Sequence, residues 1–271
     1  MLPPSALNFI NTYICSSSIK CLIMNRRFFI PVLLLLAASS CQAPLALQSV
    51  ETSKNQEITP ELPEDPKILQ TIAPYKSTMD REMNTKISYA PGELSKAGDN
   101  SALGGLLADY TLESAQKWGK QNGFPEVEAA VINIGGIRTS IGKGDVLLRH
   151  IYEVMPFENE LVLVQMKGTD LGALFAYYLK TRKNNPVAGL YIKTKGEGIE
   201  KALIQGKEID PDKTYTIATS DYLALGGDEM SFFSLGKMVS TGLKLRDLYI
   251  EKIRSEKELI GPTDLRLEFQ P

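Results

Sequence analysis

The stretch "ELVLVQM", residues 160–166, is apolar at nearly every position. A strand with one wet face would alternate apolar and polar side chains, so this run reads as a strand covered on both faces. A doubly covered strand needs a layer on each side, and the neighbouring segments supply them. Beyond it, Leu171, Leu174, Phe175 and Tyr178 recur at i, i+3, i+4 and i+7 behind Thr169, a candidate N-cap. Leu103, Leu106, Leu107 and Tyr110 repeat that spacing behind Asn100 or Ser101, and Gly123 with Pro125 closes the helix. Leu245, Leu248, Tyr249 and Ile253 mark a third helix. Short β-branched or aromatic runs read as further strands: "EAAVINI" (128–134), "GLYIK" (189–193), "ALIQ" (202–205), "YTIAT" (215–219) and "LRLEF" (265–269). Asp210-Pro211-Asp212 is a turn. Helices and strands mix without a regular β-α-β spacing, which predicts a mixed α+β domain.

The domain does not occupy the whole chain of 271 residues. "MNRRFFIPVLLLLAASSC", residues 24–41, has the pattern of a bacterial export signal: Arg26 and Arg27, an apolar run from Phe28 to Ala38, then small residues before Cys41. The run is shorter than the roughly 20 apolar residues that span a bilayer. A buried core helix would leave the arginine pair and the small-residue site without a role. The site resembles the lipobox of bacterial lipoproteins, with Ala38 where leucine is commoner, and implies cleavage before Cys41 and lipid attachment to it. Met24 is then the expected true start, and residues 1–23 have no evident role. Residues 42–67 are polar and proline-spaced, as a tether would be. Ile68–Asn84 shows weak helical character interrupted by Pro74, and the folded domain is expected over residues 68–271.

Composition narrows the chemistry. Cys15 and Cys21 precede Met24 and Cys41 is the lipid site, so the mature domain has no disulfide, thiol nucleophile or cysteine-held metal. The single histidine, His150, cannot build a hydrolytic metal site. It reads as structural or surface. A net charge of −2 points away from nucleic-acid partners.

"NIGGIRTSIGKGD", residues 133–145, sets Gly135-Gly136 just after a strand and Arg138 two residues later. Such a turn would let backbone and guanidinium approach an anionic or planar ligand. It also fits a tight turn beside a surface arginine.

Four stretches, "NIGGIRTSIGKGDV", "YEVMPFENELVLVQMKGTDL", "IDPDKTYTIATSDYLALGGDE" and "NSALGGLLADY", together resemble the C-terminal domain of the 5'-nucleotidase family, over about Ile87 to Phe269. The family includes UDP-sugar hydrolases and ecto-5'-nucleotidases. The resemblance implies a domain that holds nucleoside and helps hold phosphate, while a separate domain carries two metal ions and the chemistry. It implies that Asn133, Gly135, Gly136 and Arg138 face the polar and anionic groups of the ligand. Phe157, with Asn159 beside it, and Tyr222 would be the walls of an aromatic clamp. Asp228 would hold the ribose hydroxyls, and Gly226 and Gly227 would keep side chains off the sugar. Base stacking tolerates many bases, so broad specificity is implied. Phe157 also fits plain core, Tyr222 a packed strand aromatic, and Asp228 a turn. Two departures stand out. Glu229 and Met230 follow "GGD" where the family has glycine and an aromatic, and only Lys86 and Lys96 stand where the family often supplies an arginine.

A counterpart of the metal-bearing domain is not expected in this chain, since the tether reads as too short and polar to hide one. The expected function is therefore the nucleotide-binding half of a split hydrolase. It has no catalytic residue, metal site or cofactor of its own, and divalent metals belong to a separate metallophosphatase polypeptide. The alternatives are a lipid-anchored nucleoside-binding module without hydrolase activity and a structural lipoprotein on a relict fold. Retention of Asn133, Arg138, Phe157, Tyr222 and Asp228 together counts against the last. Each places the chain in the bacterial cell envelope, at the membrane only through a lipid anchor.

Overall fold

The computed structural model describes residue 47, residues 49–55 and residues 57–271. The export signal, the three cysteines and the upstream residues lie outside the described residues. The chain divides into two units, Met1–Pro63 and Glu64–Pro271. All the helices and strands that follow belong to the second.

Helix α1 (Pro66–Met83) starts from Asp65, whose carboxylate accepts from the amides of Lys67 and Ile68 at 2.8 and 3.3 Å, with Pro66 in the first turn. Pro74 does not interrupt it, contrary to the reading from sequence. Proline removes one backbone donor, and the ladder on either side carries the helix past it. Strand β1 (Lys86–Ala90) leads to α2 (Ala102–Gln121), capped by the Ser101 hydroxyl on Gly104 N–H at 3.0 Å. Then come β2 (Ala129–Val131), β3 (Gly144–Leu147), α3 (Leu148–Val154), β4 (Glu160–Lys167) and α4 (Gly168–Thr181). The remainder is β5 (Val187–Ala188), β6 (Leu190–Lys195), β7 (Gly198–Ile204), β8 (Lys207–Glu208), β9 (Thr214–Ser220), α5 (Asp221–Ala224), β10 (Lys237–Lys244), α6 (Leu245–Ser255) and β11 (Leu267–Gln270).

The central sheet has the order β10-β4-β9-β2-β5, with β2 and β9 parallel and the other neighbours antiparallel. Its two faces bury different cores. Leu161 and Leu163 of β4 pack with α2 and α6, while Val162, Val164 and Met166 pack with α4. The unbroken apolar run of β4 is the consequence of this double cover. A second sheet, β11-β6-β7-β8, and a β1-β3 ribbon flank the first. Arg266 joins the C-terminal segment to α2 through a bidentate pair with Asp109 at 2.8 and 2.9 Å.

Two local readings change. Thr169 does not cap α4, which begins at Gly168. Gly168 N–H donates to Lys213 O at 2.8 Å, and a Cβ there would lie 2.0 Å from Asp210 O, so tertiary packing sets this start. The strand expected over 128–134 pairs only at Ala129–Val131, because the chain turns at Ile134 into a 3-10 turn.

Candidate functional site

Three adjacent strands deliver their loops to one edge of the central sheet. β9 pairs with β2 in parallel, Ala218 beside Ala130, so both chains leave the sheet at the same end. β4 is antiparallel to β9, with Leu161 opposite Ser220, so it enters where β9 leaves. The segment before β4 carries Phe157 and Asn159, the one after β2 carries Asn133 to Arg138, and the one after β9 carries Tyr222 and Asp228. Asn133, Gly135, Arg138, Phe157, Asn159, Tyr222 and Asp228 line one cleft of about 340 Å³. Residues separated by up to 95 positions (228 − 133) are thereby brought together.

Each wall has a local cause. Behind Asn133, Gly136 is buried, and a Cβ there would lie 2.9 Å from Asn133 Oδ1, so this position has little room for a side chain. Arg138 is exposed and donates through Nη1 to Gly135 O at 3.0 Å, while its own N–H is held by Val154 O at 2.8 Å. Ile137 is wholly buried and anchors the loop, and Lys96 Nζ donates to its carbonyl at 2.6 Å.

The Phe157 loop is held from the neighbouring helix. Leu245 N–H donates to Asn159 O at 2.9 Å, and Arg246 Nη1 donates to Pro156 O at 3.1 Å and Phe157 O at 3.4 Å. Arg246 also pairs with Glu158, and its guanidinium lies 4.5 Å from the centre of the Tyr152 ring. With the backbone so held, Phe157 is still 43% exposed. It stands in the open, outside the core.

Opposite, Ser220 caps the single turn of α5 and presents Tyr222, 44% exposed. The Tyr222 hydroxyl donates to Asp228 Oδ1 at 3.1 Å and accepts from Asp228 N–H at 3.2 Å. Its ring lies on Gly227, where a Cβ would come within 2.5 Å. Gly227 therefore makes room for the tyrosine ring. Gly226 has φ 94°, the left-handed conformation that suits glycine. Neither glycine lines the cleft, and nor does Gly136.

Glu229, the departure next to Asp228, also stays out of the cleft. It lies 3.9 Å from Lys183 and borders a separate hollow with Tyr177 and Phe232. Met230 is fully buried in the core under α4. His150 accepts from Leu147 N–H through Nδ1 at 3.2 Å, a local cap on α3. Among the described residues, no group of three or more histidine, cysteine, aspartate or glutamate side chains could hold a metal. Arg246 was missed in the sequence because its partners lie about 90 residues away. Nothing in "LRDL" marks its partners.

The arrangement offers two flat apolar faces, one carboxylate and one guanidinium around a cleft open to solvent. It can hold a planar group that carries hydroxyls and an anion.

The chain is similar to proteins of known family. Residues 84–235 match the family model described as 5'-nucleotidase, C-terminal domain. The protein UshA of Yersinia enterocolitica is 30% identical over 216 residues, 74% of this chain and 37% of that protein. A 5'-nucleotidase of Vibrio vulnificus is 29% identical over 186 residues, 63% of this chain and 31% of that one. The chain thus spans about a third of the length of either relative. The crystal structure of a 5'-nucleotidase precursor from Thermus thermophilus shares the fold, with a TM-score of 0.63 at 24% identity, over 77% of this chain and 44% of that one.

Proposed function

Because the chain belongs to the 5'-nucleotidase family through that family's C-terminal domain, we propose that its cleft binds a nucleotide or nucleoside as the substrate-holding half of a split hydrolase. The observation that carries the reading is the convergence of Phe157 and Tyr222 with Asp228, Asn133 and Arg138 on one cleft. Phe157 and Tyr222 take the base between them, and stacking contributes on the order of 1–3 kcal/mol per base. Asp228 accepts from the ribose hydroxyls. One of its oxygens already receives the Tyr222 hydroxyl, which aims the carboxylate before ligand arrives. Asn133 and Asn159 meet polar groups, and Arg138 offers its planar fork to the phosphate end.

In this reading the metals of a separate metallophosphatase polypeptide polarise the phosphoryl oxygen and activate water. This chain contributes positioning. A partner needs a surface, and α1 has one: Ile68, Ile72, Tyr75 and Met79 form a 4-3-4 stripe with no buried side chain on the helix. The same reading places lipid on Cys41 and the protein in the bacterial cell envelope, held at the membrane by that anchor. Among the described residues no helix is long and apolar enough to cross a membrane.

A nucleoside-binding module with no hydrolase partner is the second reading. It is favoured by one feature: both aromatic walls and the carboxylate come from this chain alone.

Calorimetric titration of adenosine and AMP into the metal-free protein, with Tyr222→Ala alongside, tests the site. The wild type should bind both, leave AMP intact, and lose about tenfold or more in affinity on the substitution. No binding by the wild type sinks the nucleoside reading. Binding that Tyr222→Ala leaves unchanged sinks the clamp.

A further inference from the structure

Behind the cleft runs a chain of hydrogen bonds that joins its two walls. Asn185, between α4 and β5, has no exposed surface, so its side-chain amide must find partners inside the protein. Its Oδ1 accepts from Ile134 N–H at 3.0 Å, and its Nδ2 donates to the Tyr177 hydroxyl oxygen at 3.0 Å. The phenol has one proton left to give, and it goes to Asp228 O at 3.1 Å. Ile134 follows Asn133 in one wall, and Asp228 belongs to the other. Neither Tyr177 nor Asn185 lines the cleft.

The far end of the chain is a backbone that does not hold itself. Asp228 has φ 51° and Glu229 has φ 66°, two consecutive non-glycine residues in the left-handed region. Such a segment persists where its surroundings over-determine it. Tyr222 grips Asp228 from the cleft side through its N–H and carboxylate, and Tyr177 grips it from behind through its carbonyl. Tyr177 is itself fixed, edge-on to Tyr178 with ring centres 5.6 Å apart and packed on Phe232 at 5.7 Å. Asn185 is fixed as well, since its carbonyl accepts from the Tyr178 hydroxyl at 3.0 Å.

We infer that Tyr177 and Asn185 are positioning residues that aim the Asp228 carboxylate at the ribose and lock its loop to the Asn133 loop. The role in binding rests on the nucleoside reading of the cleft. The coupling of the two loops does not. Loss of the Tyr177 hydroxyl leaves the Asp228 carbonyl without its donor and lets the left-handed segment relax, so the carboxylate loses its aim while both aromatic walls remain.

The test is Tyr177→Phe in the full chain, titrated with adenosine and 2'-deoxyadenosine, with amide hydrogen exchange measured on the ligand-free protein. The preference for adenosine should fall by about fivefold, the worth of one well-placed hydrogen bond, with little change in the deoxynucleoside. Exchange should quicken at both Ile134 and Asp228. An equal loss for both ligands would reduce Tyr177 to a purely structural residue, and no loss for either would remove it from the site. Both results overturn the proposal. If the wild type binds neither nucleoside, the nucleoside reading fails, and the exchange data decide the coupling. Unchanged exchange at Ile134 or Asp228 then overturns that too.

Discussion

Large apolar side chains reach solvent both on helix α1 and at the cleft, and the two places differ in what stands behind them. On α1, Tyr75 is 78% exposed and Met79 54%, and none of the helix's side chains is buried. Its side-chain hydrogen bonds stay local, as with Asp65 on Lys67 N–H and the Ser77 hydroxyl on Pro74 O. At the cleft, Phe157 and Tyr222 are about equally exposed, but Phe157 is fastened from a distant helix and Tyr222 from the far side of its own loop. Arg246 holds the backbone of Phe157 from α6, and the Tyr222 hydroxyl is bonded to Asp228. An exposed ring held by convergent polar groups is prepared for a small ligand, whose binding would otherwise have to order it. An exposed stripe with no such support suits a broad partner surface, which orders it by covering it.

The sharpest way to break that contrast is to release the cleft from its fastening. Arg246→Ala removes a buried guanidinium from two carbonyls and from Glu158. Because Glu158 is itself well exposed, the expected loss is about 2–3 kcal/mol in urea unfolding, with weaker adenosine binding as the loop loosens. An unchanged unfolding midpoint would show that the loop holds its own shape. Phe157→Ala should act on binding alone. Phe157 is well exposed, so adenosine affinity should drop by about tenfold and stability by less than about 1 kcal/mol. A large fall in melting temperature would place Phe157 in the core after all. The smallest effect belongs to α1. Ile72→Glu should shift stability by no more than about 0.5 kcal/mol and leave nucleoside affinity alone; on the proposed split arrangement it should also abolish capture of the separate metallophosphatase. A destabilisation of several kcal/mol would mean that α1 packs on the domain and is not a free surface.

Much of this was legible in the chain. The run at 160–166 called for a doubly covered strand because side chains on successive strand residues face opposite ways, and both sets are apolar. Leu103 to Tyr110 announced a helix because a 3.6-residue period puts those positions on one face, and Ser101 caps it as a serine there should. The cleft residues were legible through four short motifs, which name residue types without giving their contacts. Other features were silent. β10 is an edge strand that buries no residue fully; Val239, Thr241 and Leu243 are merely half-buried on its inner side, and Gly242 and two lysines break up the apolar signal. Thr169 has the chemistry of an N-cap, yet the start of α4 is set by Gly168 lying against Asp210. Arg246, Tyr177 and Asn185 look like ordinary residues of a helix or a connection.

By itself the sequence determined the α+β class, the helices with an apolar face, the doubly buried strand and the residue types offered to a ligand. These follow from local periodicity and from the chemistry of single side chains, which a linear string carries. Only the tertiary structure decided that β9 and β2 leave the sheet side by side, that Tyr222 lies on Gly227, and that Asn185 spans the distance from Ile134 to Tyr177. Such facts depend on which atoms meet in space, several of them across 50 to 90 positions of chain. A hydrogen bond is specified by both of its ends, and the sequence writes those ends far apart.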